Sequence, residues 1–422
     1  MRNFKLYPGT LIEKLSWGSM LLFSISILLP ENYRNIPLFM LLLTALLGLK
    51  SKTPSKAGLR IFIVNGMLYL ILALSLLYTG DLADGFKRIT VMASIGILPF
   101  ALYAVNGNKV LSNKRLEMVF YWSFLVSVVI FYLGVFVFTF SKGFLNSTIF
   151  EHFTERLNST LGKYSLHPLY ASLYICISIC LSVHVFTQST KRAQKLFLIL
   201  CMLFLTLVLL MLARKGAIFF MLILAMAYFF IKLRKTRYSY IFVATALLGL
   251  IFSYYIEPIR LRYVEFFQSF FTTNVSDPGS TSFRLNVYKC ALKSIFESPI
   301  FGYGLGDTKH ILTSCYVQQQ NMFSGLYFNS HNQFLSVWLA AGIFGFLALV
   351  YMMYSNIQLA LKSKSFLHAS VIVLFLGFLM IENILERQDG VILFSFFINF
   401  FAFKNLKHKP TVEKNTYNRA IS

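Results

Sequence analysis

The residues able to do chemistry stand at three places. Arg214 ends an apolar run, in Met211-Leu212-Ala213-Arg214-Lys215-Gly216. Two readings fit it: a cation snorkelling to lipid phosphates, or a cation held at the membrane face for an anionic group. Two cations in a tight outer turn run against the positive-inside rule. Arg284 lies in Thr281 to Glu297, a helix-periodic segment with Ser282 as the expected N-cap. At about 100° per residue, Asn286, Lys289, Lys293 and Glu297 share a polar face, while Val287, Tyr288, Ala291 and Ile295 fall within roughly 60° of Arg284. Arg284 therefore projects from the apolar face, in a first turn where a cation opposes the helix dipole. Two local rules broken together mark functional sites, although a structural salt bridge would also place an arginine there. His331 stands in Phe328-Asn329-Ser330-His331-Asn332-Gln333-Phe334-Leu335, where a long loop returns to a helix. A neutral imidazole accepts a proton from a hydroxyl; a residue capping the helix start is the plainer reading. Lys215, Arg260 and Arg262 are secondary basic candidates.

Other stretches carry less. In Glu297-Ser298-Pro299-Ile300-Phe301-Gly302-Tyr303-Gly304-Leu305-Gly306-Asp307 the glycines could let backbone amides approach a phosphate, but no Gly-Lys-Ser/Thr follows. No grouping of His, Cys and carboxylates has metal-ligand spacing, so no metal site and no cofactor are expected. His184 and His368 lie at helix ends and are expected to be packed or interfacial. Glu382, Glu386, Arg387 and Asp389 form either a structural ion-pair cluster, the favoured reading, or part of a site wall. Cys176, Cys180 and Cys201 fall inside apolar runs as packing residues; Cys290 and Cys315 share one long loop and could pair if it faces an oxidising compartment.

The elements that must position these residues follow from composition. Of 422 residues, 57% are hydrophobic and 13% charged, against roughly 25% charged in a soluble domain. The expected fold class is an all-α polytopic membrane protein, because each apolar run must satisfy its backbone hydrogen bonds internally. The runs lie near 11–29, 36–49, 61–79, 88–105, 118–140, 168–187, 196–213, 216–231, 239–256, 331–355, 366–381 and 390–403, about twelve crossings. The second, eleventh and twelfth are short for a span. The seventh and eighth are separated only by Arg214, Lys215 and Gly216, which makes a tight hairpin or one broken helix. No small-residue cleavage site follows the first run, which is expected to be a retained helix.

The net charge of +23 would suggest nucleic acid in a soluble chain, but here the charges sit in short loops between apolar runs and report topology. With the amino terminus inside, 24 of the 39 basic residues fall in inside segments, and every such segment is basic. Both termini are then cytoplasmic, and no nucleic-acid partner is expected. The expected organisation is membrane helices over 1–256, a long periplasmic loop with amphipathic helices over 257–330, further membrane helices over 331–403, and a cytoplasmic tail over 404–422.

The ordered set of an Arg ending a middle helix, Phe283-Arg284 in a long outer loop, Ser298-Pro299-Ile300-Phe301-Gly302-Tyr303-Gly304-Leu305-Gly306, Ser330-His331-Asn332-Gln333-Phe334-Leu335 and Gly342-Ile343-Phe344-Gly345 resembles the O-antigen ligase and O-antigen polymerase superfamily, over about 206 to 350. The resemblance implies a glycosyltransferase of the C type in the bacterial inner membrane, with its active site on the periplasmic face. Its donor would be a glycan on undecaprenyl pyrophosphate, and its acceptor the lipid A core of lipopolysaccharide for a ligase, the favoured expectation, or a second lipid-linked repeat unit for a polymerase. It implies metal-independent transfer with inversion, Arg214 and Arg284 on the donor pyrophosphate, and His331 as the active-site histidine. The chain departs from many relatives at Ala213, where Thr or Ser commonly precedes the Arg. The chemistry agrees. Guanidinium groups stabilise a pyrophosphate leaving group as its charge develops, and His331 could deprotonate or orient the acceptor hydroxyl. A flippase would instead place charges in mid-membrane and show repeated halves, and a scaffold without catalysis leaves Arg284 unexplained.

Overall fold

The computed structural model describes residues 10–48, 55–106, 111, 113–141, 153–212, 214–234, 255, 260, 281–320 and 329–406, and these are helical without strands. In chain order the helices are α1 (Leu11–Ser24), α2 (Ile36–Gly48), α3 (Lys56–Leu74), α4 (Leu82–Val91), α5 (Ser94–Asn106), α6 (Lys114–Phe140), α7 (Pro168–Gln188), α8 (Arg192–Met211) and α9 (Lys215–Tyr228). After a π turn at Phe229–Leu233 come α10 (Thr281–Glu297), α11 (Thr308–Gln320), α12 (Gln333–Ser363), α13 (Phe366–Ile381) and α14 (Gln388–Lys404). Each apolar run coincides with helix, the one near 88–105 divided between α4 and α5, except the run near 239–256, of which Tyr255 alone is among the described residues. Among the described residues, seven helical stretches are long and apolar enough to cross a membrane. The short runs stay short: α2 has 13 residues, α13 has 16 and α14 has 17.

Local sequence sets the ends. Thr10 and Glu13 make a reciprocal capping box at α1. Asn113 caps α6, and α7 begins on His167 with Pro168 at its first turn, where a missing N–H costs nothing. α14 is apolar all round, and every residue from Gly390 to Phe403 is buried, which makes it the central post of the bundle. Phe23 stacks on Phe396 with ring centroids 3.8 Å apart, and Phe120, Phe397 and Phe400 continue the aromatic seam. A buried polar chain ties three helices at mid-depth. Asn356 donates to Asn65 and Asn65 to Asn399, each at 2.8 Å, so amides satisfy one another where no water is at hand.

α8 and α9 form a hairpin. α7 leads into α8 through 189–191, and the cavity that Gln188 lines is also lined by Lys232, so α8 starts and α9 finishes at the same end of the bundle. Its turn carries Arg214 as N-cap of α9. α10 and α11 dock on α12 through a separate cluster of Val287, Cys290, Ala291, Ile295, Leu312, Tyr316 and Leu339, and a disulfide joins Cys290 to Cys315.

The glycine-rich stretch is a joint and not a phosphate cradle. α12 breaks at Ala341 and Gly342, which frees carbonyls upstream. Tyr303 N–H donates to Leu339 O at 2.8 Å and Gly304 N–H to Ala340 O at 2.9 Å, while Gly306 N–H donates to Thr79 Oγ1 at 3.0 Å. A side chain at Gly302 (φ 72°) or Gly342 (φ 61°) would collide with the facing backbone, so glycine is there for close approach. The amides that sequence reasoning offered to a phosphate are spent on protein. Asp307 completes the joint, its carboxylate accepting from Gly80 N–H at 2.5 Å and Asp81 N–H at 3.0 Å.

Candidate active site

His331 precedes α12 in a left-handed conformation (φ 45°). Histidine visits this region more often than most residues, at a cost of about 1–2 kcal/mol relative to right-handed geometry. The capping role belongs to its neighbour: Asn332 accepts from the Phe334 and Leu335 N–H groups. The imidazole is thereby free of the helix start. Its backbone is fixed on both sides, the N–H donating to Asn329 Oδ1 at 3.2 Å and the carbonyl accepting from Tyr288 Oη at 3.2 Å.

The imidazole's partner is Glu382, with Nδ1 2.9 Å from Oε1. Arg284 approaches the other oxygen of the same carboxylate, NH2 to Oε2 at 4.0 Å. Burial pushes the Glu382 carboxyl upward, but the hydrogen bond and charge of His331, the charge of Arg284 and the Asn383 N–H together bring it below its ordinary value. Glu382 is therefore an ionised acceptor that favours the imidazole tautomer with its proton on Nδ1. The lone pair then sits on Nε2, pointing away from Glu382 and available to a hydroxyl.

Arg284 behaves as its face predicts. It lies one turn before Val287 and Tyr288 on the packed side of α10, yet its side chain is 40% exposed, so it borders the cluster and is not sealed in it. α10 starts at Thr281, so Ser282 falls inside the first turn and is not the N-cap. Arg214 comes to the same end by a different route. Gly216 packs its first helical turn directly against the Ile381 side chain, one residue before Glu382, which brings the Arg214–Lys215 turn to the same end of the bundle. His167 reports the same neighbourhood from α7. Its pKa is shifted down to about 4 by burial and by the charges of Arg387 and Arg214, with Glu382 opposing.

Of the sequence candidates, then, Arg284 and His331 share a carboxylate, and Arg214 and Lys215 stand in a turn at the same end of the bundle. Arg260 is exposed, and Arg262 lies outside the described residues. In the sequence Glu382 is not separated from Glu386, Arg387 and Asp389, because the outer loop 382–389 reads as one cluster. The structure divides it. Glu386 pairs with Arg88 at 3.0 Å and Asp389 with Arg34 at 3.2 Å, both as framework, while Glu382 faces the imidazole. The corner is pinned from beneath by Ser330 Oγ donating to Asn383 Oδ1 and by Leu385 N–H donating to Gln333 Oε1 at 2.8 Å. His184 and His368 are packing residues as expected: His184 meets Tyr121 edge-on, and buried His368 stacks on Phe401 and bonds Asn405.

An imidazole aimed by a carboxylate, with guanidinium groups at the rim, is suited to take a proton from a hydroxyl while cations receive a departing anion. The O-antigen ligase family model matches residues 196–350, a segment that contains Arg214, Arg284 and His331 but not Glu382. No curated protein matches the chain.

Proposed function

With residues 196–350 assigned to the O-antigen ligase and polymerase superfamily, we propose that this chain transfers an O-antigen glycan from undecaprenyl pyrophosphate to the lipid A core of lipopolysaccharide, at the periplasmic face of the inner membrane. The family is enzymatic and the chain is a polytopic membrane protein; donor, acceptor, twelve crossings, glycosyltransferase C architecture and orientation belong to the proposal. The Cys290–Cys315 disulfide supports placing the α10–α11 side in an oxidising compartment.

The observation that carries the reading is the shared carboxylate of Glu382, 2.9 Å from His331 and 4.0 Å from Arg284. In the proposed step the acceptor hydroxyl oxygen attacks the anomeric carbon of the donor sugar, from the face opposite the pyrophosphate. The carbon–oxygen bond to the pyrophosphate breaks with its electron pair. The hydroxyl proton passes to His331 Nε2, and the Glu382 carboxylate stabilises the imidazolium that results. Arg284 and Arg214 receive the charge of the leaving undecaprenyl pyrophosphate, with Lys215, Arg260 and Arg262 as outlying basic contacts. The inversion at the anomeric centre follows from a single displacement, and no step calls on a metal.

The test is transfer by purified protein supplied with undecaprenyl-pyrophosphate glycan and rough lipopolysaccharide, in chelator and without nucleotide. Glycan appearing on lipid A core supports the ligase. A ladder of longer lipid-linked glycans with unmodified lipopolysaccharide makes the chain a polymerase, which uses the same displacement. Neither product, beside a working control enzyme, sinks both.

A further inference from the structure

At the end of the bundle away from Glu382, a cavity of about 540 Å³ opens between α7, α9 and α13. The two ends are distinct: α7 starts at His167 beside the candidate site and finishes at Gln188, in the cavity wall. Most of the lining is apolar, with Met221, Leu224 and Phe366 prominent. Thr187, Gln188, His184, Ser365 and Ser370 add polar groups, and two lysines add charge. Lys232 and Lys364 line it, and both are exposed, which sets them at its rim. Among the described residues no carboxylate lines the cavity.

Both lysines are held there by unusual backbone. Lys364 ends α12 in the left-handed conformation (φ 53°), a position where glycine would avoid the strain. Lys232 lies in the π turn Phe229–Leu233, a distortion that re-aims side chains and is frequent at functional sites. Two independent departures from ideal helix bring two ammonium groups to one apolar mouth.

We propose that this cavity binds a phospholipid with an anionic headgroup, its phosphate between Lys232 and Lys364 and an acyl chain along the apolar wall of α9 and α13. Cations without a facing carboxylate call for an anion. Apolar walls call for a ligand with a hydrocarbon part, which a soluble phosphate ester lacks. The lipid would also pack on α9, of whose spanning window 11% is buried among the described residues. That helix begins at Arg214, so the lipid would steady the turn that carries a candidate donor contact. Binding itself does not depend on what the chain transfers.

The experiment uses the full chain, delipidated in detergent, with phosphatidylglycerol, phosphatidylcholine or glycerol phosphate added. Retained lipid is read by native mass spectrometry and stability by thermal melting. Phosphatidylglycerol should be retained preferentially and raise the melting temperature. Lys232→Gln with Lys364→Gln should weaken its retention by about tenfold or more and leave phosphatidylcholine unchanged. Ala225→Trp, which fills the cavity, should remove the preference with both lysines present. Equal retention of the two lipids, or a preference that survives both variants, overturns the proposal. A melting shift from glycerol phosphate equal to that from phosphatidylglycerol would overturn the lipid part of it.

Discussion

Two sets of charges share one short loop, and they are built to opposite specifications. Arg34 and Arg88 have side chains 3% and 7% exposed, and each is buried against several protein acceptors. Arg34 bonds Asp389 and the carbonyls of Leu29, Tyr164 and Ser165, and Arg88 bonds Glu386, Leu305 O and Thr308. Both guanidinium groups are sealed from solvent and held by protein partners. Four to seven residues away along the chain, Glu382 meets a half-open imidazole and a guanidinium at 4.0 Å, the outer limit of an ion pair. A sealed pair fixes the chain; a partly exposed group with cations at its rim can exchange partners with a substrate. Proximity in sequence therefore says little about role, and burial of the pairing says much.

The sharpest way to break this contrast is to delete one member of each set. His331→Ala or Arg284→Ala should lower transfer by roughly 100- to 10,000-fold while the melting temperature stays near that of the parent. Arg88→Met should do the reverse. It leaves Glu386 buried without its cation, at a cost of about 3–5 kcal/mol, seen as lost folded protein and a lower melting temperature. If Arg284→Ala destabilised as much as Arg88→Met, the division into framework and site would be wrong.

A smaller effect is expected from the disulfide. Cys290 and Cys315 are 25 residues apart, a loop whose closure is worth about 3 kcal/mol to the folded state in the chain-entropy model. Cys290→Ser with Cys315→Ser should loosen the α10–α11 pair on α12 and lower transfer through Arg284. Val287, Ala291 and Leu312 still hold the cluster together, so hydrogen exchange should rise across α10 before the bundle melts. Unchanged exchange in α10 would show that the disulfide adds nothing to the placing of Arg284.

The helices were legible because lipid enforces them: apolar runs without charge have few other solutions. Arg284 stood out by breaking the face and dipole rules of its own helix, and both signals are local. Glu382 had no local signal. It is one of three carboxylates within eight residues, and what separates it from Glu386 and Asp389 is which distant helix supplies the cation: Arg88 from α4, Arg34 from the turn before α2, Arg284 from α10. The glycine-rich stretch misled for a related reason. Its composition matches both a phosphate cradle and a close-packed joint, and only the break in α12 at Ala341–Gly342 shows where its amides are spent.

Acid offers the finest test, because His167 and Glu382 lose stability in separate windows. His167 is held neutral, shifted from 6.5 to about 4. The unfolded chain takes up that proton first, so stability is full above pH 6.5 and declines as pH falls from 6.5 to about 4. Glu382 is shifted down from 4.5. Its contribution is full above pH 4.5 and is lost only as pH falls through its lower folded value, when the carboxylate facing His331 and Arg284 is neutralised. Melting temperature against pH should therefore fall in two steps. His167→Gln should flatten the first and spare the second, while Glu382→Gln should flatten the second. Arg88→Met, which lowers the whole curve, should leave both steps in place. A first step undiminished in His167→Gln would mean that burial, aided by Arg387 and Arg214, does not hold that imidazole neutral.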